Sequence, residues 1–513
     1  MAVGDALARF KQLLEGAGSS SADASCELLL AQLEPALAQC FRLCAIPHQF
    51  DRALLKVLLP ASGEAQIQAF CESLSRLALV NVRSDGLALH DTARSYLFGK
   101  WLEQNRQEFR EANARLRDHF ESHLTGTAGQ EQIDALRQRM FHWIGADQPA
   151  GIAEFERLCR EARHAARLSS CATLIALVHE YDPILSENSR GVLAYHEAKL
   201  AADRNDWKLA QERLEQVLAN TAVSELLHMK AHNRFGLVYL AQRKWDEAIA
   251  ALENAERIAR RNADAPELPL ILHDMAVAYR HKGMRERSQE LLNRSITIAE
   301  KGKDLLCLAR DYNSLGTLHR SYNEHREAIA AYEKSRGYLD QAHDHFRLAA
   351  LYNNLGDEYS DLAEWTKSLQ FFELSLHISE EAADTIGQAR ALTNLVRVYW
   401  NSNRQDEAIV AGQTAASYFT ALRDDYSAGA AMLRVARLYR SARRNEAALE
   451  AYGRTIELFQ KAGASGDVAN VEEERAALVH PPGLPWWAWA GIIVLVLVLV
   501  IFVVLVILVA DRP

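Results

Sequence analysis

Through its second half this chain repeats itself every forty residues, and that period constrains its architecture more than any other feature. Gly236, Ala276, Gly316, Gly356, Val396 and Ala436 share one register, mostly small. Three positions on come Tyr239, Tyr279, His319, Tyr359, Tyr399 and Tyr439. A third register holds Ala248, Ser288, Ala328, Ser368, Ala408 and Ala448, and a fourth holds Leu252, Leu292, Tyr332, Phe372, Gly412 and Tyr452. Ala255, Ser295, Ser335, Ser375, Ala415 and Thr455 make a fifth. Small side chains spaced in this way let two antiparallel helices approach closely, while the large ones fill the groove between them. Chance recurrence in an alanine-rich chain does not keep these registers in step. The expected fold is mainly α, an α-solenoid of stacked helix pairs. Two positions break the rule: Val396 is not small and Gly412 is not large.

The order of these residues resembles the tetratricopeptide repeat, whose pattern is leucine-glycine, tyrosine three on, then alanine, aromatic, alanine. Leu315-Gly316 and Leu355-Gly356 carry the likeness most closely. The period exceeds the roughly thirty-four residues usual in that family, and is similar to the variant with extended helices in large signalling regulators. A weaker seventh copy, with Ala198 and Trp207-x-x-Ala210, sits upstream about two residues out of phase, so the repeats are placed at 190–462. The resemblance implies a concave binding groove lined by first helices. Spacing puts Asn233, Asn313, Asn353, Asn354, Asn394, Arg397 and Arg437 on that face. Asparagine offers both donor and acceptor, which suits an extended peptide backbone. The competing reading makes these residues solvated surface or hydrogen bonds between helices. The family's clamp for a C-terminal carboxylate pairs a lysine with an asparagine four residues on, and no repeat supplies that pair.

Residues 1–29 read as an N-terminal helix and linker, and 30–125 as a small domain. Two short helices broken at Pro47 precede a helix near Ala65 to Leu77. LALVNVRSDGLAL then predicts two strands turned at Ser84-Asp85-Gly86. Helices followed by a hairpin predict a winged helix. The wording resembles the winged-helix segment of signal-transduction ATPases with numerous domains, where a Met-His-Asp triplet follows the hairpin. Here the triplet is Leu89-His90-Asp91. In that family the histidine touches a nucleotide held by a separate P-loop domain, yet this sequence has no G-x-x-x-x-G-K-[ST]. His90 and Asp91 therefore read first as the start and cap of a helix over Thr92 to Glu103. Acids slightly outnumber bases over 1–125, and the helix before the hairpin carries Glu64 and Glu72 against Arg76. Phosphate neutralisation dominates DNA affinity, so protein contact is expected here rather than nucleic acid. Residues 126–189 read as a helical connector.

The end of the sequence is of another kind. Gly491 to Ala510 reads GIIVLVLVLVIFVVLVILVA, twenty residues with no polar side chain. As a helix this run spans roughly 30 Å, the hydrocarbon thickness of a bilayer. Trp486, Trp487 and Trp489 precede it, as interfacial aromatic residues do. A single C-terminal transmembrane helix over 486–510 is expected, joined through a terminal helix and Pro-rich hinge at 463–485. A tail anchor of this kind leaves the N-terminal bulk in the cytoplasm.

Composition excludes more than it assigns. The net charge of −9 over 513 residues offers no general attraction to nucleic acid. Seven scattered cysteines contain no Cys-x-x-Cys, so neither zinc nor a disulfide framework is indicated. No His-Glu-x-x-His or Gly-x-Ser-x-Gly occurs, so no catalytic residue, metal or cofactor is expected, nor an enzyme. The expected function is a membrane-anchored scaffold or sensor that binds a protein or peptide, in signalling or defence. A separate ATPase or effector protein is a candidate partner. The alternative is a membrane-tethered transcription regulator acting through the winged helix.

Overall fold

The computed structural model describes residues 21–84, 86–124, 128–165, 167–261 and 266–479. The hinge prolines, Trp486, Trp487, Trp489 and the apolar run Gly491 to Ala510 lie outside the described residues. Among the described residues, no helix is long and apolar enough to cross a membrane. The chain divides into two compact units, Met1–Asp274 and Met275–Pro513.

In the first unit, α1 (Ser21–Gln32), α2 (Pro35–Leu43), α3 (Arg52–Leu58) and α4 (Glu64–Ser75) precede a hairpin, β1 (Val80–Arg83) and β2 (Gly86–Leu89). Pro35 opens α2, where its fixed φ and missing N–H do no harm. Asp51 caps α3 by accepting from the Leu54 amide at 2.8 Å. The strands pair antiparallel with Val80 opposite Leu89 and Arg83 opposite Gly86. Phe50 adds a bridge to the hairpin through two backbone bonds with Leu87, of 2.7 and 2.8 Å. That close approach requires Gly86: its φ is 144°, and a Cβ there would lie 2.8 Å from the Phe50 carbonyl oxygen.

After the hairpin come α5 (Asp91–Gln104) and α6 (Arg106–His123). The cap position of α5 is His90, with no side-chain hydrogen bond, so the expected aspartate cap is not made. Asp91 sits instead in the first turn, where the helix dipole still favours a carboxylate. The expected connector forms α7 (Gly129–Ala146), α8 (Gln148–His164) and α9 (Leu168–His179). It does not stand apart from what precedes it. Phe98, Phe109, Phe141 and Tyr181 pack ring against ring in one shared core, and the Tyr181 hydroxyl donates to the Phe141 carbonyl at 2.9 Å. Glu180 ties the two parts electrostatically, 2.7 Å from His48 Nε2 and 2.8 Å from Arg94 Nη1. Two helix pairs follow: α10 (Glu187–Asp203) with α11 (Trp207–Ala219), and α12 (Glu225–Ala241) with α13 (Trp245–Ala259). The division between units falls within α14 (Leu268–His281).

The second unit keeps a stricter metre. After α15 (Arg285–Gly302) run α16 (Leu305–Ser321), α17 (His325–Gln341), α18 (His345–Asp361), α19 (Trp365–Glu381), α20 (Thr385–Asn401), α21 (Gln405–Ala421), α22 (Asp425–Ser441) and α23 (Asn445–Lys461). Each helix from α16 to α23 has 17 residues. A three-residue turn follows each, centred on a left-handed residue: Asn323, His343, Ala363, Ala383, Asn403, Arg423, Arg443 and Gly463; Lys303 takes the same conformation in the two-residue turn after α15. The forty-residue period is thus two periods of twenty. At Asn323 the turn is closed by its own N–H to the Arg320 carbonyl and by the Glu324 N–H to that of His319, the double bond of a Schellman cap. Between repeats the next residue is an aspartate that starts the following helix. Asp304, Asp344 and Asp424 accept from the amides of Cys307, Arg347 and Ser427 at 2.9, 3.0 and 3.0 Å. A last helix, α24 (Ser465–Val479), covers the end of α23.

Close helix pairing rests on size complementarity. A Cβ on Gly316 would lie 2.5 Å from the Tyr332 ring, and one on Gly356 would lie 2.7 Å from that of Phe372. Both rings are fully buried. The two positions that broke the sequence rule pack differently. At Gly412 the space is taken by Val435 of the next first helix, 2.5 Å from where a Cβ would stand, with Val396 at an ordinary 3.5 Å. Buried serines complete the joint: Ser368 and Ser335 donate to the Gly356 and Ala309 carbonyls at 2.7 and 2.6 Å.

Two outcomes follow for stability, both measurable by urea unfolding. Ala363→Gly and Ala383→Gly relieve a left-handed backbone at φ 57° and 51°, and each stabilises by about 1 kcal/mol. Gly356→Val overpacks the joint and costs about 2–3 kcal/mol, part of which returns in Gly356→Val/Phe372→Ala.

Candidate functional site

The first helices of the second unit, α16, α18, α20 and α22, present residues at equal positions forty apart. Asn313, Asn353, Asn354 and Asn394 are half-buried along this row, and Arg397 and Arg437 are exposed. Most of the asparagines already have partners. Asn354 Nδ2 donates to Asn313 Oδ1 of the preceding repeat at 2.9 Å. Asn394 Nδ2 does the same to Asn353 Oδ1 at 3.5 Å. Asn353 Nδ2 in turn donates to Ser375 Oγ at 2.6 Å, and that hydroxyl donates to the Ala349 carbonyl at 2.8 Å. The competing reading of these four residues therefore describes them: they are hydrogen bonds between helices. Asn233 lies apart from the ladder, in the first unit, with its side-chain oxygen buried and unpartnered among the described residues.

The arginines are arranged otherwise. Arg397 Nη1 meets Asp361 at 2.7 Å, and its Nη2 meets Asp357 at 3.4 Å. Arg320 approaches Asp357 from the other side at 3.1 Å. Arg437 makes a two-pronged contact with Glu474 on α24, at 2.6 and 3.1 Å. Side chains of Arg397 and Arg437 are 43% and 50% exposed. Pairs this open contribute between nothing and about 1 kcal/mol, so they hold a guanidinium fork in position without holding it closed. A ligand carboxylate can replace Asp361 or Glu474 at little cost, with the same bidentate geometry. Arg434 donates to the Thr393 carbonyl at 3.4 Å.

Beneath the exposed row lies a buried carboxylate that the sequence pattern did not single out. Glu358 is fully buried, 2.8 Å from His325 Nδ1 and 3.3 Å from Arg320 Nε. Burial holds its carboxyl above the usual range, against the opposing pull of His325 and Arg320. Burial likewise raises Asp357 beside it, against Arg320 and Arg397. Glu474 is lowered, chiefly by its hydrogen bond with Arg437. Neither Glu358 nor Glu474 belongs to a groove register, and one lies beyond the repeats altogether. A signal existed for Glu358 alone: an acid stands where the other first helices carry Val238, Ala278, Leu318, Val398 and Leu438.

In the first unit, His48, Arg94 and Glu180 line a cavity of about 490 Å³ with Asp91, Ser95 and Phe98. His90 is not part of its lining. No cluster of histidine, cysteine or acidic residues among those described is arranged to hold a metal. The seven cysteines are unpaired thiols, and burial pushes that of Cys307 up to about 11.

Comparison with known proteins agrees with the helix-pair geometry. Residues 227–301 and 267–341 match the tetratricopeptide repeat family. No curated protein matches the sequence. Among solved structures, the chain is similar to a signal transduction ATPase with numerous domains that has a tetratricopeptide repeat sensor, from Pyrococcus horikoshii. That likeness has a TM-score of 0.56 at 15% identity, over 94% of this chain and 67% of the other. It shows the fold alone. A Rap protein complexed with competence and sporulation factor gives a TM-score of 0.44 at 16% identity, over 64% of this chain and 96% of that one. The apo form of the quorum sensor NprR from B. thuringiensis gives 0.44 at 13% identity, over 66% and 100%.

The buried carboxyl makes a pH-dependent expectation. A native state that raises a carboxyl pKa binds the proton more tightly than the unfolded chain, so stability falls as pH rises through the raised value. Glu358→Gln removes that loss. Its stability relative to the parent should therefore grow between pH 4.5 and 7, in urea unfolding at both pH values.

Proposed function

We propose, for a chain whose repeats are tetratricopeptide repeats, that it is a protein-interaction scaffold or sensor held at a membrane. It binds a protein or peptide partner along the first-helix face of the repeats. The observation that carries this reading is the pair of exposed arginines, Arg397 and Arg437, each held in place by a weak ion pair to a neighbouring repeat or the terminal helix. Such groups are positioned in advance and cheaply released, which lowers the ordering cost of binding. The asparagines act one layer behind them, joining neighbouring first helices; Asn354 and Asn394 each spend one of two amide donors on that bond. The arginine forks favour ligand side chains that bear carboxylates.

Anchoring rests on Gly491 to Ala510 with Trp486, Trp487 and Trp489 before it. In this reading the anchor crosses the membrane once and leaves the repeats in the cytoplasm. The helices and hairpin of 30–125, with the Phe50 bridge beside the hairpin, are read as a winged helix that contacts protein. Between Glu64 and Ser75 α4 holds no lysine or arginine, which leaves a DNA-reading role without its phosphate contacts. A separate ATPase or effector is the partner this combination fits best, since the chain carries repeats and hairpin but no P-loop.

Two measurements test the reading. Truncation before Trp486 should move the chain from the carbonate-resistant membrane fraction to the soluble one; a truncated chain that stays in the membrane fraction overturns the anchor. Arg397→Glu with Arg437→Glu should weaken capture of the partner identified by cross-linking at least tenfold, with helix content unchanged. Undiminished capture would rule the first-helix face out.

A further inference from the structure

Three cations gather around one aromatic ring in the first unit. There α10 packs against both α8 and α12, and each of the three helices contributes one of them. Lys199 Nζ of α10 stands 5.4 Å from the centre of the Tyr195 ring, one turn back on the same helix. Arg234 of α12 donates a hydrogen bond to the Tyr195 hydroxyl, and its Nε is buried with no partner among the described residues. Arg163 of α8 lies beside Lys199. Its Nη2 donates to Asp203, one turn beyond Lys199, at 3.0 Å.

Charge here is out of balance. Arg163 has its carboxylate, whereas Lys199 and Arg234 have no ion pair among the described residues. The other groups nearby do not correct this. Burial raises the Cys159 and Cys171 thiols, which keeps them neutral. Burial lowers His196, and Glu156 is taken up by that imidazole at 3.7 Å. Burial, with Arg163 and Arg234 alongside, pushes the Lys199 ammonium down to about 8. The face of one tyrosine offsets little of the cost of gathering like charges away from water. Stability of the fold does not account for such a cluster, and an anion bound at it would.

Shape and charge select the anion. The three donors come from three helices, so they surround a point instead of forming one planar fork. A carboxylate presents two oxygens and a single charge, and suits one guanidinium. A phosphoryl group presents three oxygens and carries about −1.5 to −2 charges near neutral pH, which matches the two unpaired cations. Arginine clusters are a recurring means of holding that group. We propose that Arg163, Lys199 and Arg234 bind a phosphoryl group, carried on a phosphorylated side chain of a partner protein or free as phosphate. The site belongs to the first unit and uses neither Arg397 nor Arg437, so it goes beyond the peptide-binding reading and does not rest on it.

The test is calorimetric titration of the purified full chain in a maltoside detergent, which brings no phosphate with it. The probes are N-acetyl-O-phosphoserine methylamide, inorganic phosphate and N-acetylglutamate methylamide. Titrations run at about pH 8, where Lys199 is half-protonated, in Tris and in HEPPS. The phosphate ester is already a dianion there, so a proton taken up with it enters the protein at Lys199, since anion and proton raise each other's affinity. The difference in heat between the two buffers reads that uptake. The tighter phosphate should bind at least tenfold more tightly than the glutamate derivative. Lys199→Met and Arg234→Gln should each weaken it at least tenfold, with helix content unchanged. Tighter binding of the phosphoserine derivative than of inorganic phosphate places the group on a partner's side chain, and equal or weaker binding makes the free anion the ligand. The proposal falls if the glutamate derivative binds as tightly, if either variant keeps full affinity, if the ester binds without proton uptake, or if neither phosphate binds. None of these outcomes touches the capture experiment above, which decides the peptide-binding reading separately.

Discussion

The distance between the two helices of a repeat is set where a large side chain of the second helix rests on a missing one in the first. Tyr332 over Gly316 and Phe372 over Gly356 leave no room for a single methyl group. Everything polar on the exposed row depends on that contact. Were the pair held farther apart, Ser368 would not reach the Gly356 carbonyl, and the neighbouring first helices would not meet closely enough for Asn354 to reach Asn313. At Gly412 the space is filled from the next repeat instead, by Val435. What is conserved in a packed joint is summed volume at near-crystalline density, and which helix supplies it is secondary.

Much of this was legible in the sequence because helix pairing leaves a periodic record. The small-large registers, the upstream pair containing Trp207, and the hairpin ending at Leu89 all follow from spacing and turn chemistry. The twenty-residue metre was less visible, because its marker is a backbone conformation. Left-handed φ falls on Lys, Asn, His, Ala, Arg and Gly alike, so composition does not announce it. The aspartates that follow every second turn were a readable sign of it, since an N-cap needs a short acceptor side chain.

For the candidate site, spacing named residues but not their partners. Spacing located the face, but it could not say that Asn353 and Asn354 bond to Ser375 and to Asn313, since that depends on side-chain direction across a repeat boundary. The carboxylates that position the arginines lie about one repeat away or, for Glu474, on the terminal helix. No local pattern connects residues so separated. Glu358 did leave a mark, an acid in an otherwise apolar register, though not one that tells burial from exposure.

The uniform turns of the second unit have a consequence for how such a chain changes length. Each helix start from Leu305 to Asn445 lies twenty residues from the next, and each turn closes through bonds to the end of its own preceding helix. A duplication or loss of forty residues therefore hands every surviving cap, joint and interhelical bond an equivalent neighbour. A change of any other size strands an aspartate away from its amide and a glycine away from its ring. The array grows and shrinks in whole quanta, and a ligand-bearing row laid along it is lengthened or shortened by one rung at a time.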